Sequence, residues 1–212
     1  TLHYLSEGRL VVGASLGGRP QEYETAGVPL RTRVSRFQNT VDLLRSFWGQ
    51  NTHPTSGLAP GVADSMKPQP VPSSIPLLIG GRVEAALRRA ATIGDGWLAS
   101  STTTPDIFRR HWTTIVSHAT ASGRDPTSLM AAKFCYIDVD DSENRALARL
   151  ESRLPRYYGA PYDAANLAIY GPPDRCIEQA MRLLDAGVQT LIFATVTSDR
   201  DQLLRIANQV LP

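Results

Sequence analysis

The chain has 212 residues, 42% of them apolar and 20% charged, the proportions of an ordinary globular domain able to bury one core. Its formal charge of +2 comes from 22 basic and 20 acidic residues with the signs interspersed, and no basic stripe with interleaved aromatics argues for a nucleic-acid partner or an acidic membrane face. No apolar run approaches the roughly 18 residues of a membrane span, and the N-terminus lacks the basic-then-apolar pattern of a signal peptide, so the expected compartment is the cytoplasm.

In chain order, "RLVVGAS" (9–15) is a short apolar run closed by small residues and reads as a buried strand. A short polar helix follows over 20–27. "RTRVSRFQNTVDLLRSFWG" (31–49) is a longer one, with Val34, Phe37, Val41, Leu44 and Phe47 spaced three or four apart on one face. Residues 50–74 are rich in Pro, Gly, Ser and Thr without a period of their own, which predicts a long functional or mobile loop.

"PLLIGGRVEAALRRAATIGDGWL" (76–98) then compresses a strand at 75–79, a helix at 82–93 and a second strand at 96–99 into little space. A helix over 105–121 is opened by Thr104-Pro105-Asp106, a capping hydroxyl followed by Pro in the first turn. "LMAAKFCYIDVD" (129–140) reads as a strand and 142–154 as a helix, while 155–171 reads as irregular with one helical turn at most. A helix entered through "GPPD", the strand "VQTLIFATV" and a closing helix over 198–210 complete the chain. Five strands are therefore expected, each followed by a helix, which argues for an α/β fold with a parallel sheet.

The glycines of "VVGASLGG" do not form GxGxxG and lack the Lys-Ser/Thr of a P-loop, so they read either as tight turns or as a close approach of backbone to a ligand. Gly80-Gly81 before a helix lets backbone N–H groups approach an anion, with the helix N-terminus adding donors and Arg82 a charge; the other reading is a tight turn with a solvated Arg. Cys135 and Cys176 sit in separate apolar contexts and read as buried thiols. His111 and His118, seven apart on one helix, read as solvated, and no histidine has a ligand-spaced partner, so no metal is expected. Asp138, Asp140 and Asp141 read as caps of the next helix, and Trp97 as core. Ser15 lacks the context of a hydrolase nucleophile.

"LSEGRLVVGASLGGRPQEYETAGVPLRTRVSRFQNTVDLLRSFWG", "IPLLIGGRVEAALRRAATIGDGWL" and "GPPDRCIEQAMRLLDAGVQTLIF", in that order, resemble the luciferase-like monooxygenase family over nearly the whole chain. The resemblance implies a TIM (β/α)8 barrel as a single domain over 1–212, here with only about five β/α units, an incomplete barrel. It aligns the five strands with the family's fourth to eighth and puts Thr1 inside the helix before the fourth, so the expectation is a piece of a longer protein. A naturally shortened homologue is the alternative.

The resemblance further implies a flavin- or deazaflavin-dependent oxidoreductase or monooxygenase acting on a small organic substrate, with FMN or coenzyme F420 as cofactor and a homodimer as the assembly. Gly13, Ala14 and Ser15 would line the cofactor ring, and Ile79, Gly80, Gly81, Arg82 and Val83 would hold its phosphate. The loop at 50–74 would act as a lid, and no catalytic residue is assigned. The alternative function is a catalytically inactive flavin-binding or structural homologue that dimerises to cover its open barrel edge.

Overall fold

The apolar runs become parallel strands, as alternation with helices requires. A computed structural model describes residues 1–49 and 75–211, so the loop expected over 50–74 lies outside the described residues. The chain divides into two units, Thr1–Gly80 and Gly81–Pro212.

In the first unit, β1 (Val12–Ala14) pairs in parallel with β2 (Leu77–Gly80), with Val12 opposite Leu77, Gly13 opposite Leu78 and Ala14 opposite Ile79. Leu77, Leu78 and Ile79 are all buried, the mark of a strand covered on both faces. The unit also holds a turn of helix α1 (Leu2–Leu5), α2 (Pro20–Thr25) and α3 (Arg33–Phe47). The apolar stripe expected along α3 is covered only in part: Val41 is buried, Phe37, Leu44 and Phe47 are half-buried, and Val34 is exposed.

The second unit is organised by one long strand. β3 (Gly96–Ala99) pairs in parallel with the first residues of β4 (Met130–Val139), β5 (Ile169–Gly171) with its last three, and β6 (Thr190–Ala194) with its middle. Gly96 is dictated by this pairing, because a Cβ there would stand 2.1 Å from the Met130 carbonyl oxygen. The helices are α4 (Glu84–Thr92), α5 (Pro105–Ala121), α6 (Glu143–Tyr158), α7 (Ala164–Leu167), α8 (Pro173–Leu184) and α9 (Arg200–Arg205), the last running on into a π-turn over Ile206–Val210. Ala146, Leu150 and Leu154, four apart on α6, face Tyr136, Ala164, Ala168 and Tyr170 in one apolar cluster.

Three expectations are corrected in this unit. The described residues form six strands rather than five, because β5 lies inside the segment read as irregular. At three residues it is too short to show a period. Helix α6 runs past Pro155 to Tyr158 and closes on Gly159 in the left-handed conformation. The proline removes one intrahelical bond, and Tyr158 packing on Tyr136 together with the glycine cap holds the last turn. Arg82 and Val83 precede α4 rather than belonging to it, Val83 being its N-cap.

Glutamine amides finish the strand backbones. Gln179 accepts from the N–H of Tyr170 at 3.1 Å and donates to its carbonyl at 3.0 Å, and Gln202 treats Val139 the same way at 2.9 and 2.8 Å. Gln189 accepts from the N–H of Ala131 at 2.9 Å. Each supplies the partner that a neighbouring strand would otherwise give.

Candidate functional site

The residues expected to hold a cofactor fall in both units. In the first, the β1–β2 register sets Ala14 directly beside Ile79 at the strand ends, with Gly13 beside Leu78 one step earlier. Ile79 is buried, Ala14 and Gly80 are half-buried, and Gly13 and Ser15 are exposed. The Ser15 hydroxyl accepts from the N–H of Gly17 at 3.5 Å, so it serves its own loop.

In the second unit, Gly81 has φ of 141°, and a Cβ on it would fall 2.4 Å from that of Ala86. The close approach of α4 to its own entry turn therefore demands glycine whether or not an anion binds. The Gly81 carbonyl accepts the Trp97 indole N–H at 2.7 Å. Trp97 is fully buried, with Phe108 at 5.0 Å and His111 at 5.6 Å between ring centroids, so its expected core role holds. Arg82 and Val83 are exposed, and Arg82 pairs with no described residue. No side chain caps α4, whereas Thr104 caps α5 and Ser142 caps α6. An uncapped helix entry beside an exposed arginine and a residue without a Cβ suits an anionic group.

The polar side chains near the strand ends form two assemblies. Buried Asp138 receives both Nε and Nη2 of Arg149, at 2.9 and 2.5 Å, and Arg149 also reaches Asp140 at 2.7 Å. Arg145 binds Asp140 at 2.7 Å, and Asp140 accepts from the Ser142 N–H at 2.8 Å. The bond from Arg145 first, then that amide and Arg149, holds the Asp140 carboxyl well below the usual range despite burial. The expected helix-capping role is thus corrected: Asp140 helps the helix entry, but Asp138 is an ion-pair partner, and Asp141 meets Arg205 at 3.2 Å. This is a network that fixes α6 on the end of β4.

The second assembly is a group of hydroxyls at the end of β3. Tyr158 lies 3.0 Å from the Tyr136 hydroxyl and 3.2 Å from that of Ser101, while Tyr162 stacks on Tyr158 and donates to the Ser101 carbonyl at 3.4 Å. Burial, then the bond to Tyr158, pushes Tyr136 above the usual phenol range, and burial raises Tyr162 to about 12. Both are neutral phenols at ordinary pH. The sequence reading missed this group because its members come from four separate segments of the chain.

His118 is not simply solvated as expected; its ring meets the Glu84 carboxylate at 2.5 Å across α4 and α5. Burial, then the nearby Arg110, lowers the pKa of His111. Cys135 and Cys176 are buried, and burial raises Cys176 to about 12. Among the described residues no group of three or more His, Cys, Asp or Glu side chains could hold a metal ion, and no helix is long and apolar enough to cross a membrane.

Parallel strand pairs alternating with helices in each unit define an α/β protein. Residues 1–190 match the profile of the luciferase-like monooxygenases, and the chain belongs to that family. It is 24% identical over 238 residues to the F420-dependent glucose-6-phosphate dehydrogenase of Microbacterium testaceum, covering 100% of this chain and 70% of that protein. It is 25% identical over 217 residues to the phthiodiolone/phenolphthiodiolone dimycocerosates ketoreductase of Mycobacterium tuberculosis, covering 99% of this chain and 54%, about half, of the relative's length.

Among solved structures, an F420-dependent secondary alcohol dehydrogenase in complex with an F420-acetone adduct superposes with a TM-score of 0.78 at 17% identity, covering 100% of this chain and 72% of its own. The FMN-bound oxygenating constituent of 3,6-diketocamphane monooxygenase from Pseudomonas putida gives 0.67 at 17%, covering 100% and 74%. The fold is that of the luciferase-like TIM barrel, here incomplete.

Proposed function

We propose that this protein is an oxidoreductase of the luciferase-like family that uses FMN or coenzyme F420 to transform a small organic substrate. The observation that carries the reading is the family match over residues 1–190. Coenzyme F420 is favoured over FMN by the dehydrogenase from Microbacterium testaceum, which aligns with the whole chain. The homodimer expected with this activity rests on the resemblance alone, and the cytoplasmic setting on the sequence pattern alone.

Gly81, Arg82 and Val83 would hold the cofactor phosphate, with the uncapped start of α4 supplying backbone donors and Arg82 the counter-charge. Ile79 and Gly80 end the strand that leads into this turn, and by the resemblance Gly13, Ala14 and Ser15 would line the ring. The cofactor, when bound, supplies two-electron redox chemistry; the chain's residues bind it, orient it and exclude water. Titration with each cofactor tests the reading, as does R82Q, which removes the charge without touching the packed turn.

A further inference from the structure

Within the second unit a cavity of about 230 Å³ lies among the start of α5, strands β4 and β5, and helix α8. Its lining includes three cations, Lys133, Arg175 and Arg182, and no carboxylate. Lys133 is 1% exposed in the middle of an apolar strand. Its ammonium donates to the carbonyls of Ser100 at 3.2 Å, Ser101 at 3.3 Å and Phe134 at 3.2 Å. These bonds use all three N–H groups and hold the charge in place, but neutral carbonyls do not cancel it.

Among the described residues, the acidic group that acts on the ammonium is the Cys135 thiol. Burial pushes its pKa up, so it remains protonated and supplies no counter-charge. Burial also pushes Lys133 down from the usual ammonium range, the direction for a cation without an anionic partner.

The two arginines are differently placed. Arg175 meets Glu143 at 2.9 Å and Arg182 meets Glu178 at 2.6 Å, in pairs 41–66% exposed and formed with carboxylates outside the cavity lining. Thr104 and Pro105, which open the 17-residue α5, also line the cavity and turn the positive end of that helix toward it. Leu167, Ile169 and Leu183 supply an apolar wall.

We infer that this cavity binds a small organic oxyanion, an acid group facing Lys133, Arg175 and Arg182 with a short apolar body against Leu167, Ile169 and Leu183. The volume lies below the roughly 300–1,000 Å³ of pockets that enclose drug-sized ligands, which restricts the guest to a single-ring or short-chain acid. Lys133 also holds the carbonyl of Ser101, whose hydroxyl lies against Tyr158, so the bound acid would brace the loop that follows β3.

Calorimetric titration of the full chain with benzoate, phenyl phosphate and neutral benzyl alcohol tests the inference. Saturable binding of benzoate or phenyl phosphate, at least about tenfold tighter than benzyl alcohol, is expected, with the better anion identifying carboxylate or phosphate monoester. R175Q/R182Q should weaken that binding at least about tenfold while leaving the fold intact, since exposed pairs contribute little stability. R82Q should leave it unchanged, separating this cavity from the turn assigned to the cofactor phosphate. No binding of either anion, equal binding of benzyl alcohol, equal affinity in R175Q/R182Q, or loss of binding in R82Q would each overturn it.

Discussion

The indole N–H of Trp97 donates to the carbonyl of Gly81 at 2.7 Å, tying the first residues of β3 to the turn that enters α4. The glycine is set from the other side by Ala86, so the entry turn is clamped between a helix and an aromatic side chain. A turn held this firmly presents its backbone groups in one geometry, which is what a binding turn needs.

Gly81→Ala is expected to destabilise the chain by about 1–3 kcal/mol, because it adds both a contact at 2.4 Å and a side chain at positive φ. Chemical denaturation measures it. Trp97→Phe should lose about 1–2 kcal/mol by leaving the Gly81 carbonyl without its donor. A G81A variant as stable as the parent would mean that Ala86 does not constrain the turn.

Arg149→Met should cost about 3 kcal/mol, at the low end of the range for breaking buried pairs because Arg149 is 31% exposed, since it leaves Asp138 buried and charged. Asp138→Asn in the same background should restore part of the loss. If the two changes simply add, measured by denaturation of all four members of the cycle, the pair is not coupled.

The Asp140 carboxyl is held below its ordinary value in the folded chain, chiefly by Arg145. Its stabilising contribution is therefore present above the unfolded carboxyl value of about 4 and is lost as pH falls below it. Thermal unfolding followed downward from pH 6 should show a decline that is shallower in Asp140→Asn.

Lys133→Met should lose about 1–3 kcal/mol despite removing a buried charge, because the carbonyls of Ser100, Ser101 and Phe134 lose their donor together. Denaturation at neutral pH checks this. A more stable variant would mean that the ammonium is a net burden there.

Much of the architecture was legible in the sequence where a signal was local. The strand over Met130–Val139 and the helix over Pro105–Ala121 follow directly from an uninterrupted apolar run and a Thr-Pro opening. What escaped were features built from distant partners. The strand Ile169–Gly171 exists because β4 and the Gln179 amide complete its backbone, and the role of Asp138 depends on Arg149 eleven residues away. Lys133 did leave a trace, as one of only two lysines and a lone charge among apolar neighbours. The Gly-Gly pair read as a turn on its residues alone and as a cradle once the resemblance was added, and the contact with Ala86 explains Gly81 on packing grounds, leaving Arg82 and the uncapped helix to carry the binding argument.

The most direct measurement is a fluorescence titration of the purified chain with coenzyme F420 and with FMN. The account predicts saturable binding of one of them, F420 the favoured candidate, weakened about tenfold in R82Q without loss of stability. Binding of neither cofactor, or binding indifferent to R82Q, would contradict it.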